Sequence, residues 1–518
     1  EMNAPINQSC ISINTTTLFS AGVVPARYIL AVLGSIGMAI IYGLKVNLSV
    51  AMVGMLNHTA IRALTGGSHA HHENATSSAS EECMATGGNS SAPEQDGPFV
   101  WSSNIQGLVL SCYFWGYFVS QVPGARIAEL LSAKWVMFFS VSINVVCTLL
   151  TPVMATTSYV AVIFMRIGEG IGGGVTFPAM HVLLSRWAPP AERSVMAALV
   201  YAGTSLGTVI SMLLAGVLTA NLGWESVFYV MGGLSCIWCV LWVFLVQDSP
   251  QQQPLISAEE REMIVTALGG KTDGSQHKKL PVPWKKVLTS LPFLAILVSH
   301  ACSNWGWYML LIELPFYMKQ VLKFNMTENA VTTSLPFLSL WIFSIGLSRF
   351  LDWLRVKGHI TTTTARKVGT LFASLVPAVC LLGLCFVGCN RGAAVALMAI
   401  GVTCIGGMFC GFLSNHIDIA PNFAGTLMAL TNTVATIPGI VVPIFVGQLT
   451  HGNETISAWR IIFFVTIALY AIEMVVYTLF GSGEEQPWNN PQEENKQEDL
   501  ETKPLKPLNN EDKGKTRV

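Results

Sequence analysis

The chain has 518 residues, of which 52% are hydrophobic and only 11% are charged. Soluble domains carry about 25% charged residues, so this composition favours a membrane protein. The net charge of −1 gives no electrostatic reason to expect a nucleic acid partner. Residues 1–26 are polar and lack a signal-peptide pattern, and we assign them to a cytoplasmic tail.

Apolar segments long enough to cross a bilayer recur along the chain. Since a span needs about 20 mostly apolar residues, we predict twelve transmembrane helices at 28–56, 104–124, 134–154, 157–186, 193–220, 224–247, 287–318, 328–351, 366–387, 392–414, 422–449 and 457–480. A polar linker at 248–286 divides them into six-helix halves at 27–247 and 287–480. This all-α membrane architecture is typical of transporters whose site lies between the halves near the midplane.

The distribution of Lys and Arg predicts an orientation. If the amino terminus is cytoplasmic, most of these residues fall in inner loops, as the positive-inside rule requires. The linker and a charged tail at 481–518 then also lie in the cytoplasm. The outer side holds the few remaining basic residues, Arg62, Lys319, Lys323, Arg391 and Arg460.

Glycosylation sequons of the form N-x-S/T are an independent guide to the same topology. A long polar loop at 57–103, predicted to lie outside, contains several of them, and others fall in later outer loops. Because sugars are added to such exposed loops, we predict glycosylation there. The predicted acceptors are Asn57, Asn74, Asn89, Asn325 and Asn453.

Two short patterns raise the question of a metal or a cofactor. The outer loop contains HAHHE from His69 to Glu73, which we interpret as solvated chain. Cys236 and Cys239 form C-x-x-C inside an apolar run and lack a second pair of ligands. We therefore predict neither a metal site nor a cofactor.

The stretch RIGEGIGGGVTFP, from Arg166 to Pro178, places two charges and five glycines inside span 4. A G-x-G-x-x-G nucleotide loop must follow a strand in a soluble unit, so this match is excluded by its context. The glycines are expected to let helices approach closely. Arg166 and Glu169 are three residues apart and share a helix face. Charges within a span face a partner or a watery cavity, and we predict either a functional site or an internal salt bridge.

Lys45 is a second cation inside a predicted span. At about 1.5 Å per residue, Lys45 lies roughly 16 Å from the outer end of span 1, and Arg166 lies roughly 13 Å from that of span 4. The two cations are thus expected at one depth, with Glu169 as the buried carboxylate between them. A surplus of positive charge in a buried site favours binding of an anion.

Other polar residues in the spans are candidates for supporting roles. Glu313 in span 7 is predicted either to couple an ion or to lie at the outer mouth. His416 and Asp418, at the inner end of span 10, are predicted to form a gate. Glu473 in span 12 is interpreted as peripheral. As further substrate contacts we name Tyr113 in span 2 and Asn304 in span 7.

Several long stretches resemble the anion:cation symporter family of the major facilitator superfamily, over about residues 26–488. Its groups are sialin, the type I sodium–phosphate cotransporters and the vesicular glutamate transporters, and the chain reads most like the sialin group. The stretches are NLSVAM (47–52), FWGYFVSQVPG (114–124), GVTFPAMH (174–181), RWAPPAERS (186–194), GTSLGTVIS (203–211), LPFLAI (291–296), SNHIDIAP (414–421) and TNTVATIPGIVVP (431–443).

The resemblance implies twelve helices, alternating access and an anion-binding role for Arg166. It also implies that Lys45 stands where the family usually has arginine, and that Glu169 matches one of two acids in span 4. The second acid is replaced by Gly173. The glutamate transporters' arginine of span 7 and histidine of span 2 correspond here to Ser303 and Leu110, which argues against that group.

We therefore predict a secondary active symporter of small organic anions that is coupled to H⁺ or Na⁺, with H⁺ favoured. A sodium-dependent phosphate cotransporter is the alternative, and an anion channel, a sensor or a membrane enzyme is a more remote one. The expected protein is a monomer embedded in lipid, in a lysosomal, vesicular or plasma membrane.

Overall fold

A computed structural model describes residues 25–57, 59–60, 97–268, 281–313, 317–318, 321–322, 326–450 and 455–489. Within these residues, a long helix lies at the position of each of the twelve predicted spans. Ten of these helices are apolar and long enough to cross a membrane. The remaining two, at Ser103–Leu130 and Leu291–Tyr308, carry more polar side chains.

The first half contains the helices α1 to α6. Two of them are interrupted, α4 at Val175 and α5 at Ala202, and both residues keep right-handed helical backbone angles. Their bounds are α1 Ala26–Met55, α2 Ser103–Leu130, α3 Ala133–Thr157, α4 Tyr159–Trp187, α5 Arg193–Leu222 and α6 Trp224–Leu245.

The second half contains α7 to α12. The helix α7 ends in a wide π turn at Met309–Glu313, and α10 is interrupted at Gly406 and Gly411. Their bounds are α7 Leu291–Tyr308, α8 Met326–Val356, α9 Thr362–Val387, α10 Arg391–Ile419, α11 Ala424–Thr450 and α12 Ile456–Phe480.

The two halves meet along α11 and α8. The helices α2 and α4 pack against α11, and α5 packs against α8. We call the face that carries the linker the inner face. The interface between the halves is therefore formed mainly by α2, α4 and α5 on one side and by α8 and α11 on the other.

Glycines in span 4 allow α2 and α4 to pack backbone against backbone. A Cβ atom at Gly170 would collide with the carbonyl oxygen of Tyr113, and one at Gly174 would collide with the backbone of Tyr117. Gly116 of α2 lies equally close to the backbone of Ile167. The predicted packing role of the glycines is thus observed, since only a residue without Cβ fits.

The linker contains a short capped helix. It runs from Ala258 to Ala267, and the Ser257 hydroxyl accepts a hydrogen bond from the Glu260 backbone at 3.1 Å. The Glu260 carboxylate in turn accepts hydrogen bonds from the backbone nitrogens of Ala26 at 2.9 Å and Arg27 at 3.2 Å. An acid at a helix amino terminus satisfies free N–H groups, so the linker caps α1.

Candidate functional site

Arg166 and Glu169 form a buried ion pair in the middle of α4. Arg166 Nη1 donates to Glu169 Oε2 at 2.6 Å, and both side chains are 3% exposed. The second carboxylate oxygen of Glu169 accepts a hydrogen bond from the Thr148 hydroxyl of α3 at 2.9 Å. The Glu169 carboxylate is therefore held by two helices, and the charge of Arg166 is balanced locally.

Arg166 also reaches α1, where the second cation lies. Its Nη2 donates to the carbonyl oxygen of Lys45 at 3.1 Å, while its buried Nε has no hydrogen-bond partner among the described residues. The two cations thus lie side by side, at the common depth that helix geometry predicts. The unpartnered Nε leaves one donor of the guanidinium available.

The ammonium group of Lys45 lies in a box of aromatic rings. Its Nζ is 4.6 to 5.8 Å from five ring centroids, and among the residues that the structure describes it forms no ion pair. Aromatic faces stabilise a cation by up to about 2 kcal/mol where water is scarce, but they do not neutralise its charge. Lys45 is the unbalanced cation of the pair. The rings belong to Tyr42 of α1, to Tyr113, Phe114 and Tyr117 of α2, and to Tyr308 of α7.

Tyr113 lies against both cations. Its ring is 5.1 Å from the guanidinium carbon of Arg166 and 5.3 Å from Lys45 Nζ, and its buried hydroxyl has no hydrogen-bond partner. A Cβ atom at Gly173 would collide with this hydroxyl. The glycine at the position of the missing acid thus makes room for Tyr113, which places an O–H donor next to the cations.

Polar contacts connect α2, next to this site, to the second half. Asn432 of α11 donates to the hydroxyl of Tyr117 at 2.8 Å, and Gln121 donates to Thr436 at 3.2 Å. Asn304 of α7 donates to the carbonyl of Ala435 at 3.0 Å, within the second half. The predicted substrate contact Asn304 therefore has its amide nitrogen occupied by α11 in this conformation.

Asp418 joins the two halves at the inner face. Its carboxylate accepts from Arg193 of α5 at 2.8 Å and from Arg366 of α9 at 2.5 Å, and it is 6% exposed. Nearby, Ser194 donates to Asp352 at 2.6 Å across the same interface. These buried bonds close the inner side of the interface in this conformation.

A second inner contact lies between α2 and α11. Glu129 Oε1 accepts from the backbone nitrogen of Thr426 at 2.6 Å, and Glu129 Oε2 accepts from the Thr426 hydroxyl at 2.7 Å. Arg126 pairs with the same carboxylate at 2.5 Å. Glu129 thus caps the amino terminus of α11 from the opposite half.

His416 is placed differently from Asp418. Its Nε2 meets the Thr431 hydroxyl at 2.8 Å and its Nδ1 meets the carbonyl of Leu413 at 2.9 Å, both in its own half. Its ring lies against that of His181, with centroids 5.4 Å apart, and His181 Nε2 meets the Leu413 carbonyl at 3.0 Å. In this conformation, the gating pair thus separates into Asp418, which bridges the halves by ion pairs, and His416, which touches the other half by its ring.

The other predicted residues are only partly described. Glu313 ends the wide turn that follows α7, and its side chain lies outside the described residues. Asn57 follows α1, and its side chain accepts a hydrogen bond from the backbone of Ala60 at 2.7 Å. The remaining predicted glycosylation sites, Asn74, Asn89, Asn325 and Asn453, also lie outside the described residues.

The interpretation of Glu473 as peripheral is wrong. The residue is 0% exposed and faces the interior of the second half. Tyr470 and Tyr477, one turn before and one turn after Glu473, share its face of α12, but this local pattern does not show which helix that face meets. Its orientation is decided by packing of α12 against α7.

Sequence reasoning also missed the ring box and most of the inner network. Tyr42 lies three residues before Lys45, and this helical spacing was a usable signal. Tyr308 lies in the half opposite to Lys45, and Arg366 lies 52 residues before Asp418, so no spacing connects them to their partners. These contacts exist only once distant helices have packed together.

The fold and the site define a transporter of the major facilitator type. The sequence model of the Major Facilitator Superfamily matches residues 34–443, so the chain belongs to this superfamily. The structure is similar to that of the proton:xylose symporter XylE bound to 6-bromo-6-deoxy-D-glucose, with a TM-score of 0.60 and 12% identity, over 90% of this chain and 98% of that one. This protein is therefore a multi-pass membrane transporter and not an enzyme.

Curated relatives confirm the group within the superfamily that the sequence resembles. Human sialin is 39% identical over 469 residues, which cover 89% of this chain and 90% of sialin. A putative inorganic phosphate cotransporter of Drosophila melanogaster is 37% identical over 92% of this chain and 88% of its own length. Human vesicular glutamate transporter 2 is 34% identical over 90% of this chain and 76% of its own length.

Proposed function

We propose that this protein is a proton-coupled symporter of small organic anions that works by alternating access. The observation that carries the proposal is the unbalanced ammonium group of Lys45 beside an arginine that is already paired. A buried cation without a counter-ion favours an anionic ligand. Tyr308 contributes a ring from the second half, so an anion at Lys45 would be enclosed by both halves.

The aromatic walls of the site favour an organic anion. A carboxylate near Lys45 would meet the ammonium group and the free Nε of Arg166, while the rings of Tyr42, Phe114 and Tyr308 would cover the carbon part of the ligand. Pockets for organic ligands combine such apolar walls with a few polar groups. The relatives named sialin and vesicular glutamate transporter are consistent with this class.

Coupling to protons is proposed for Glu169. Burial disfavours its ionised form, whereas the ion pair with Arg166 favours it. An anion that draws Arg166 away would remove the favourable charge and let Glu169 accept a proton. Release of the anion would restore the ion pair and expel the proton, which couples the two movements.

A sodium-dependent phosphate cotransporter is the second candidate. It is favoured by Lys45 itself, because a lysine ammonium group is a compact point charge and a frequent phosphate ligand, whereas arginine offers a two-pronged fork. The Drosophila relative named a putative inorganic phosphate cotransporter supports the same class. Glu313 is the remaining candidate for ion coupling in that case.

Uptake into proteoliposomes distinguishes the two candidates. The purified full-length protein is offered sialate, glutamate and inorganic phosphate, under a proton gradient and then under a sodium gradient. We expect accumulation of an organic anion with the proton gradient and counterflow in its absence. Accumulation of phosphate that requires sodium would select the second candidate, and flux without any accumulation would indicate a channel.

A further inference from the structure

Glu473 is a buried acid that the site described above does not use. It lies in the middle of α12 and is 0% exposed, and neither oxygen of its carboxyl group has a hydrogen-bond partner in the described part of the chain. No positively charged group pairs with it among the residues that the structure describes. A carboxyl group in such surroundings requires an explanation, because buried polar groups are normally bonded.

The groups that face Glu473 are neutral. Tyr470, one turn earlier on α12, is 1% exposed, and its hydroxyl also lacks a partner. From α7, Cys302 lies close by, and the Ser303 hydroxyl approaches the carboxyl group without a well-aligned hydrogen bond. From α10 comes the sulfur of Met408, 4.0 Å from the Ser303 hydroxyl.

The buried cation of α9 pairs with other groups. Arg366 is bonded to Asp418 at 2.5 Å and to the carbonyl of Cys410 at 2.7 Å, at the inner end of the half. It is therefore not available to balance Glu473. The cost of burying this carboxyl group must therefore be reduced without an ion pair.

Only a bound proton satisfies these surroundings. An isolated buried carboxylate costs several kcal/mol, and such groups neutralise instead. A hard metal cation takes about six or more oxygen ligands, whereas this position offers the carboxyl group and the hydroxyls of Ser303 and Tyr470 alongside sulfur atoms. A protonated acid needs only an acceptor for its O–H, and either hydroxyl can serve.

The site lies close to the interface between the halves. Ser303 is one turn along α7 from His300, whose Nδ1 meets the Thr431 hydroxyl at 3.0 Å. The same hydroxyl meets His416, and the ring of His416 lies against that of His181 from the first half. One turn of α7 therefore separates Ser303, the neighbour of Glu473, from side chains at the interface between the halves.

We propose that Glu473 is a second proton-binding site of this transporter, located in the second half, neutral in the present conformation and ionised at another stage of the transport cycle. When it ionises, its O–H bond breaks, the electron pair remains on the carboxylate, and the proton passes to water on the side to which the interface then opens. This proposal rests on proton coupling as proposed above. It places one exchangeable acid in each half, Glu169 in the first and Glu473 in the second, although Gly173 replaces the second acid of α4.

The test is the number of protons moved per anion, measured in proteoliposomes from the limiting accumulation ratio at imposed proton gradients with the membrane potential clamped. Each coupled proton contributes about tenfold accumulation per pH unit of gradient. We expect Glu473→Gln to lower this limit by about tenfold per pH unit relative to the native protein. The control is Glu225→Gln, which neutralises an exposed acid at the start of α6 and should leave the limit unchanged.

Infrared difference spectroscopy supplies a direct readout of the bound proton. The native protein at neutral pH should show the carbonyl band of a protonated carboxylic acid that is absent from Glu473→Gln and present in Glu225→Gln. If Glu473→Gln does not reach the membrane, Glu473→Asp replaces it, and the band should shift because the shorter acid changes its hydrogen bonding. An unchanged band in the variant tested overturns the proposal.

The outcomes separate this inference from the proposed function. A native protein that does not accumulate anion in a proton gradient contradicts proton coupling and this inference with it. A native protein that does so, with an unchanged accumulation limit in Glu473→Gln, overturns this inference alone.

Discussion

The guanidinium group of Arg193 and the carboxylate of Asp418 join the two halves of the protein at 2.8 Å across the inner face. Arg366 holds the same carboxylate from within the second half at 2.5 Å. Alternating access requires these bonds to break when the inner side opens. Asp418 is thus the point at which the closed inner side is most sensitive to a change of charge.

Replacement of Asp418 by asparagine should open the inner side. The change leaves Arg193 and Arg366 buried without a counter-ion, and removal of one partner from a buried ion pair costs about 3–5 kcal/mol. Cys410 is a fully buried native cysteine beside this network, and its labelling by a membrane-impermeant maleimide from the inner side is expected to accelerate. Mass spectrometry of the Cys410 peptide measures the rate, and equal rates in both proteins would contradict the gate. Glu225→Gln is the control.

Transport should depend on the positive charge at position 45 more than on the shape of the side chain. Lys45→Arg retains a cation that can stack on the surrounding rings, and we expect it to preserve transport. Lys45→Ala removes the unbalanced charge, and the loss of a charged hydrogen bond of about 1.5–3 kcal/mol predicts a roughly ten- to hundredfold lower uptake. Uptake is normalised to the protein reconstituted. Full activity of the alanine variant would remove Lys45 from the site.

Glu169→Gln should uncouple exchange from accumulation. The amide retains contacts to Arg166 and Thr148 but cannot release a proton, so anion should still exchange for anion across the membrane. It should no longer be concentrated by a proton gradient. Counterflow and gradient-driven uptake are measured on the same vesicles, and persistent accumulation would leave Glu169 as a structural partner of Arg166.

Gly170 should be far less tolerant of substitution than a glycine that faces lipid. A methyl group at Gly170 collides with the backbone of Tyr113, which cannot turn aside, whereas nothing lies within 4 Å of the added atom at Gly216. Overpacking costs about 1–3 kcal/mol, so Gly170→Ala should lower the thermal midpoint of the solubilised protein. Gly216→Ala should change the stability by less than about 1 kcal/mol. Equal midpoints for the two variants would contradict the close packing of α2 and α4.

A protease experiment can test the membrane orientation predicted from the distribution of Lys and Arg. A protease added to the outer or luminal side of sealed membranes should leave the linker at 248–286 intact and reach the loop at 57–103. Substitution of Asn74 or Asn89 by glutamine should abolish the sugar attached at that position, and the resulting loss of mass tests whether the loop lies on the same side. Cleavage of the linker under these conditions would reverse the topology.

Much of the fold follows from local rules that sequence reasoning can apply. The predicted spans agree with the observed helices because a bilayer demands a minimum apolar length and internal backbone bonding. The ion pair of Arg166 and Glu169 follows from three-residue spacing on one helix. The close approach of α2 and α4 follows from the glycines of α4.

The position of Glu473 and the separate partners of His416 and Asp418 escaped such rules. His416 and Asp418 are two residues apart on α10, yet one bonds to α11 and the other to α5 and α9. Residues two apart point in different directions on a helix, and what each meets depends on which helices pack there. Glu473 is likewise buried because the face of α12 that carries it packs against α7.

The sequence alone was enough to predict the number and approximate positions of the helices, the family and the presence of charges within the spans, since these depend on apolar length, local spacing and recognisable stretches. Tertiary structure alone decided which of those charges is balanced. Arg166 pairs with a counter-ion on its own helix, whereas Lys45 is enclosed by rings from α1, α2 and α7 and, within the described part of the chain, pairs with none. The physical reason is that the free energy of a buried charge depends on everything within a few ångströms, and in this fold those neighbours come from distant parts of the chain.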